Sequence, residues 1–369
     1  MNERRAHLLR IHPSPEGNRL QANPFEGARM ILGREANCSI QVEAAGVSAT
    51  HCRVERSRQG GRLRVVDLES RNGTFVNGWR VPITGADCEP GSLLRIGEAL
   101  FVYRDLNRAE AEAARLPPLP GPVNSRHPPL VKAVERIQQY RTRGGPIWLC
   151  GPPGCGRSVL RKHLEALAEE AVWSLEASKV VLDVRYEREP PPDALESRCV
   201  VFPALRERIE DLMILVEALC NPRKPNFTPR MLEALHLYDW PGNTRELRIM
   251  LERAYHPHWG AMPGAAWDLD CFPDIDHYLQ RRVPPKDGVL PRSETLSEAQ
   301  TRPFPEEINS TQVRELLQEH HWRLFPTAEA LDVSRATLVE ALAGFGIRGP
   351  AHGSPDQLTA RQPPGLDGL

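Results

Sequence analysis

The chain has 369 residues, 40% of them hydrophobic and 26% charged, with a formal net charge of −1; at roughly 150 residues per domain that is room for two or three globular units. No run reaches the roughly 18 apolar residues of a membrane helix, and the charged N-terminus lacks the apolar core of a secretory signal, so a cytoplasmic protein without a membrane partner is expected. Eight scattered cysteines without a CxxC pair and twelve histidines without an HExxH pair exclude a secreted disulfide scaffold and a zinc ribbon, and no metal site is expected.

The segment 1–105 alternates short apolar runs with turn residues, as in Arg62-Leu63-Arg64-Val65-Val66, Gly73-Thr74-Phe75-Val76-Asn77-Gly78 and Ala99-Leu100-Phe101-Val102-Tyr103. Period-two runs bounded by Gly and Asn predict an all-β sandwich. It carries 15 arginines, no lysine and 12 acids, a mild bias toward an anionic ligand. Within it lie Ile31-Leu32-Gly33-Arg34, Ser48-Ala49-Thr50-His51, and a run from Asp67 through Ser70-Arg71-Asn72-Gly73 to Asn77-Gly78. Taken in order, over about residues 8–105, this set resembles the forkhead-associated (FHA) domain, which recognises phosphothreonine peptides. A phosphate of charge near −1.5 to −2 calls for a guanidinium, hydroxyl or amide donors and turn N–H groups. The resemblance implies that Arg34 grips the phosphate and Ser48 donates its hydroxyl. It also implies that Arg71 and Asn72 hold the phosphate and the peptide backbone, with Gly33 and His51 as framework.

Residues 106–125, Ala/Glu-rich and then proline-rich, are expected to be a linker. The next region, 126–260, opens with an apolar strand, Pro146-Ile147-Trp148-Leu149-Cys150, running into Gly151-Pro152-Pro153-Gly154-Cys155-Gly156-Arg157-Ser158 and a helix. A glycine loop between strand and helix is the setting in which backbone N–H groups cradle phosphates. Arginine stands where that pattern has lysine, and its planar fork is not a compact ammonium. Further on, Val201 to Leu212 and Phe227 to Leu247, the latter with Trp240-Pro241-Gly242-Asn243-Thr244-Arg245, resemble the end of the AAA+ domain of sigma-54-dependent transcriptional activators. Thr228 is expected to cap a helix with Pro229 at its first position, and Asn243 to cap the next.

By this resemblance Gly151, Gly154, Gly156, Arg157, Ser158 and Arg245 are the nucleotide-binding residues, Arg245 at the sensor-II position. The span from Arg157 to Arg206 is far shorter than the family uses, and no GAFTGA-like sequence, sensor asparagine or arginine-finger segment is found there. The nearest Walker B candidate, Val180-Val181-Leu182-Asp183, is followed by Val184 rather than a second carboxylate. Phosphoryl transfer needs the lysine, a metal-holding carboxylate, a positioned water and an arginine together. The expectation is therefore a truncated α/β remnant with a helical lid and no catalytic residues. It requires no cofactor; ATP binding without turnover is compatible with the loop.

Residues 261–305 are expected to form a second linker and 349–369 a disordered tail. Between them, 306–348 reads as helices: Asn309 and Gln312 make a capping-box start, and Pro326 to Leu338 reads as helix, tight turn, helix. This patch resembles the Fis-type helix-turn-helix that ends sigma-54 activators. The resemblance implies that Ser334 caps the recognition helix, with Arg335 and Thr337 aimed at major-groove edges. Four arginines against seven acids over 306–349 leave little charge to neutralise phosphates.

The fold expected is thus multidomain: an all-β FHA sandwich, a P-loop AAA+ remnant with its lid, and an all-α C-terminal unit. The function implied is a bacterial transcription regulator that senses phosphothreonine from a Ser/Thr kinase and binds DNA as a dimer, without sigma-54 remodelling. The alternative is a phosphopeptide-binding adaptor that modulates intact AAA+ paralogues without touching DNA.

Overall fold

The computed structural model describes residues 3–13, 20–58, 60–119, 125–140, 147–162, 184–187, 199–221, 225–256, 265–282 and 303–350. The N-terminal part is a sandwich of two sheets. One has six strands: β1 (Arg5–His12), β2 (Gln21–Pro24), β7 (Thr74–Val76), β8 (Trp79–Arg80), β10 (Leu93–Ile96) and β11 (Ala99–Leu106), in the order β2-β1-β11-β10-β7-β8. The other has β3 (Arg29–Gly33), β4 (Ile40–Gln41), β5 (Cys52–Arg56), β6 (Leu63–Asp67) and β9 (Ala86–Cys88), in the order β4-β3-β5-β6-β9. Side chains alternate across a strand, so Leu8, Val54, Val65, Val76, Ile96 and Phe101 meet between the sheets.

The other face of the six-stranded sheet is covered over its central strands β1 and β11. Leu9 and Ile11 of β1 and Leu100 and Val102 of β11 are buried against Ile209, Leu232 and Leu237 from the C-terminal half. That explains Ala99 to Tyr103, which is buried at every position. A strand covered on both faces reads as a continuous apolar run rather than an alternating one.

Two expected linkers contain packed structure. Asn107 and Glu110 form a capping box on α1 (Arg108–Ala113), each side chain accepting the other's backbone N–H at 3.0 Å. Ala113 and Ala114 are buried, so most of 106–119 belongs to the fold. Residues 265–282, within the second expected linker, supply Trp267, Phe272, Ile275 and Tyr278 to a core and form helix α7 (Pro273–Gln280). Their apolar residues sit at helical spacing behind a proline start, a signal masked by the surrounding polar composition.

The middle region is a three-stranded parallel sheet, with β12 (Ile147–Cys150) between β13 (Val184–Glu187) and β14 (Cys199–Val201). Helix α2 (Pro128–Tyr140) and the helical residues 157–162, here α3, flank it. Leu130, Val134, Leu149, Leu160, Val200 and Phe202 fill its core. Asp183, the Walker B candidate, lies outside the described residues, as does the tail from 351.

A 3-10 turn (Leu205–Asp211) leads into α4 (Leu212–Cys220), α5 (Pro229–Leu237) and α6 (Asn243–Ala254). Thr228 caps α5 as expected, its hydroxyl accepting the Met231 N–H at 3.1 Å, with Pro229 at the first position. Asn243 does not cap α6. Gly242 holds that position, and Asn243 adopts a φ of 54°. Three more helices follow: α8 (Ser310–Glu319), started by the expected Asn309–Gln312 capping box, α9 (Leu324–Ala330) and α10 (Arg335–Gly344). Their Val313, Leu317, Trp322, Leu324, Leu338 and Leu342 share one core with Tyr238 and Trp240 of the preceding region.

Candidate functional site

Three loops of the sandwich converge at one end of the sheets. Gly33 ends β3 where a Cβ would stand 2.2 Å from the Ala49 carbonyl oxygen and 2.9 Å from Cys38 Sγ. Only glycine fits, and this close approach lets the Arg34 N–H bond the Ser48 carbonyl at 2.9 Å. His51 is fully buried between the loops. Its Nδ1 accepts the Ser48 N–H at 3.0 Å, which leaves the proton on Nε2, donated to the Gly73 carbonyl at 3.2 Å. That tautomer is a neutral imidazole, and burial lowers its pKa below 6.5, against the weaker opposing pull of the Gly73 carbonyl.

The predicted donors are brought together on this frame. The Arg71 N–H donates to Ser48 Oγ at 3.1 Å, so the serine hydroxyl keeps its own proton for a ligand. Asn72 Nδ2 donates to the Gly46 carbonyl at 2.9 Å, which leaves the side-chain oxygen to accept from a peptide N–H. Arg34, Arg71 and Asn72 are exposed and Ser48 half-buried. Below them Asp67 accepts from the Ser70 N–H at 3.1 Å, from Ser70 Oγ at 2.6 Å and from Thr74 Oγ1. Burial raises the Asp67 carboxyl, but these donors outweigh it and the net shift is downward. Sequence reasoning missed Gly46 and Gly97, whose hypothetical Cβ atoms would reach 2.8 Å from Asn72 Nδ2 and 2.4 Å from the Ala45 carbonyl respectively. No local signal marked them: Gly46 stands between Ala45 and Val47, and Gly97 between Ile96 and Glu98.

The second candidate site is the glycine loop after β12. Gly151, Gly154 and Gly156 all have positive φ, at 134°, 76° and 113°, as a loop that turns its N–H groups inward requires. Arg157 is half-buried at the start of α3 and Ser158 is exposed. The N-terminus of α6 closes over this loop. Asn243 Nδ2 donates to the Pro153 carbonyl at 3.0 Å while its Oδ1 accepts the Leu205 N–H at 2.8 Å. Thr244 donates to the Gly154 carbonyl through its N–H at 3.2 Å and through its hydroxyl. A Cβ on Gly154 would lie 3.4 Å from Arg245 Cγ, so Arg245 stands beside the loop where the sequence reading placed it. Asn243 is the residue that reading misassigned: its left-handed backbone turns the side chain toward the loop instead of the helix end.

The third set, Ser334, Arg335 and Thr337, is only partly as expected. Ser334 Oγ accepts the Thr337 N–H at 3.0 Å and so caps α10, and Thr337 Oγ1 lies 2.8 Å from the same hydroxyl. Arg335 does not face outward. Its guanidinium donates to the Tyr238 hydroxyl and lies 5.1 Å from that ring. Tyr238 in turn donates to Glu246 at 2.8 Å. Burial lowers the Arg335 pKa, but Tyr238, Glu246, Asp274 and Asp239 outweigh it and the net shift is upward. The charge expected on the groove-reading face is therefore used against α5 and α6. Among the described residues no helix is long and apolar enough to cross a membrane, and no cluster of His, Cys, Asp or Glu could hold a metal ion.

Comparison with known proteins matches residues 30–97 to the FHA domain and residues 206–262 to the AAA+ ATPase lid domain. The chain is 37% identical to the Psp operon transcriptional activator of Escherichia coli over 135 residues, which are 34% of this chain and 39% of that protein. It is 31% identical to the C4-dicarboxylate transport transcriptional regulatory protein DctD of Pseudomonas aeruginosa over 252 residues, 60% of this chain and 48% of the relative. It thus spans less than half the length of these relatives. Among solved structures, Mycobacterium tuberculosis EmbR in complex with a low-affinity phosphopeptide is 24% identical over 27% of this chain and 24% of that one, with a TM-score of 0.24. An Arabidopsis thaliana FHA domain is 24% identical over 29% of this chain and 90% of that one, with a TM-score of 0.25.

Proposed function

We propose that this chain, which joins an FHA domain to an AAA+ lid and is related to sigma-54-dependent transcriptional activators, is a transcription regulator controlled by a phosphothreonine-bearing protein. The observation that carries the reading is the set of polar groups on the His51 frame: Ser48 with its hydroxyl proton to donate, Asn72 with its side-chain carbonyl to accept, and Arg34 and Arg71 exposed beside them. Two guanidiniums and a hydroxyl match a phosphate of charge near −2. The test is fluorescence anisotropy with a phosphothreonine peptide and its unphosphorylated twin. Binding restricted to the phosphopeptide, and weakened at least tenfold by Arg34→Ala, is the expected result; equal binding of both peptides overturns it.

In this reading the glycine loop 151–158, with Arg157 and Arg245, holds nucleotide phosphates without turning them over. The three positive-φ glycines suit a loop whose backbone N–H groups meet a phosphate. An arginine in the lysine position and the short span to Arg206 argue against hydrolysis. Retention of a fluorescent ATP analogue, with phosphate release no higher than in Gly156→Val, is expected; turnover above that control refutes the assignment.

The output side has two readings. One is DNA contact through α9 and α10 as a dimer. The other is an adaptor that modulates AAA+ paralogues without DNA, favoured by the placement of Arg335 against Tyr238 and by the acid excess of 306–349. A salt-titrated gel shift on promoter fragments separates them. Retarded complexes at low salt support the regulator; their absence, with co-purification of a paralogue, supports the adaptor.

A further inference from the structure

Cross-strand pairing sets Arg95, Phe75 and Arg80 in one row, Arg95 opposite Phe75 on β10 and β7, and Phe75 opposite Arg80 on β7 and β8. Directly paired residues project from the same face of a sheet, so two arginines flank one aromatic ring. Their surroundings differ. The Arg95 guanidinium lies 3.8 Å from the Phe75 ring centroid and pairs with Glu233 of α5 at 2.8 Å. Arg80 sits on the edge strand and is exposed. No ion pair or hydrogen bond engages its guanidinium among the described residues.

That free guanidinium is at the ligand loop. A Cβ on Gly73 would stand 2.8 Å from Arg80 Nε and 3.3 Å from its Cζ. The side chain is therefore laid over the glycine that follows Arg71 and Asn72 and whose carbonyl is held by His51. Charge arithmetic then points outward from the phosphate. One phosphate of charge near −1.5 to −2 is met by Arg34 and Arg71. A third uncompensated cation at the same rim leaves positive charge over.

We propose that Arg80 is a peptide-reading residue that selects phosphopeptides carrying a second anionic group beside the phosphothreonine. It rests on the phosphothreonine reading above and deepens it by stating the ligand's class. The second group is a carboxylate or a second phosphate, since both accept from a guanidinium fork.

The test uses the full chain and four synthetic peptides: one phosphothreonine with neutral flanks, the same with aspartate flanks, with a second phosphothreonine, and with lysine flanks. The wild-type chain is expected to prefer an anionic flank over the neutral one by about threefold to tenfold, as suits one partly solvated ion pair. The aspartate and double-phosphate arms tell which group is preferred. Arg80→Glu is expected to remove that ratio and favour lysine flanks, and Arg80→Lys to keep most of it. The preference should shrink as salt rises. An anionic-to-neutral ratio unchanged in Arg80→Glu overturns the proposal, as does a wild-type ratio of one. Failure of the wild-type chain to bind any of the four overturns the phosphothreonine reading itself and is distinct from both.

Discussion

Single residues at the ligand loops carry two sharp consequences. His51 holds the Ser48 and Gly73 loops only as a neutral ring, because Nδ1 must accept. Its folded pKa lies below the ordinary 6.5, so its contribution is complete above pH 6.5. It is lost as pH falls from there through the folded value, where the unfolded chain binds the proton first. Thermal melts of the full chain should show stability rising with pH across that window, and His51→Phe should flatten this part of the profile. A melting profile identical in the two proteins would refute the assignment. Gly33→Ala tests the frame from the other side. The new methyl meets backbone at Ala49 and Thr50, which has no flexible end to swing away. The expected cost is about 2 kcal/mol or more, read as a lower denaturant midpoint with an unchanged slope.

At the scale of elements, the joint between α6 and the glycine loop is concentrated in Asn243. One amide satisfies both the Leu205 N–H and the Pro153 carbonyl. Asn243→Ala leaves the buried Leu205 N–H without a partner, at about 1–3 kcal/mol, removes the bond to the half-buried Pro153 carbonyl, and should weaken retention of a nucleotide analogue by at least tenfold. Unaltered retention would detach α6 from that site. Helices such as α5 and α8 were legible in the sequence because their caps and apolar spacing are local: Thr228-Pro229 and Asn309 to Gln312 carry their own signals. Asn243 was not, because an asparagine before a helix looks the same whether it caps or enters a left-handed turn, and the loop that decides lies about ninety positions away. The same holds for Arg335. Its place after a capping serine marks the start of a helix, but what it touches, Tyr238, belongs to another element. Arg34, Ser48, Arg71 and Asn72, the residues expected to meet a phosphate, stand out as a set because their spacing survives in the chain; Arg80 does not, since only strand pairing brings it back over Gly73.

At the scale of the molecule, the sandwich and the lid are joined by charge as well as by apolar surface. Glu210 is fully buried between Arg104 at 2.7 Å and His127 at 2.6 Å. Burial raises its pKa, but those neighbours outweigh it and hold the carboxyl well below its ordinary 4.5. The sign follows: its contribution is present above pH 4.5 and lost as pH falls below that value. Glu210→Ala takes the carboxylate from Arg104, leaving it only the Glu207 carbonyl, and should cost about 3–5 kcal/mol. Limited proteolysis is expected to separate the two halves in this variant before the wild type. Cleavage at equal rates would show that the apolar contact alone holds them. That contact, Leu9, Ile11, Leu100 and Val102 against Ile209, Leu232 and Leu237, also bears on inheritance. A free-standing sandwich can be moved between genes as a cassette, since its outer faces already tolerate water. This one carries a greasy back fitted to a particular neighbour, so a graft of the sandwich alone would bare that face to water, and a working transplant has to carry the lid with it.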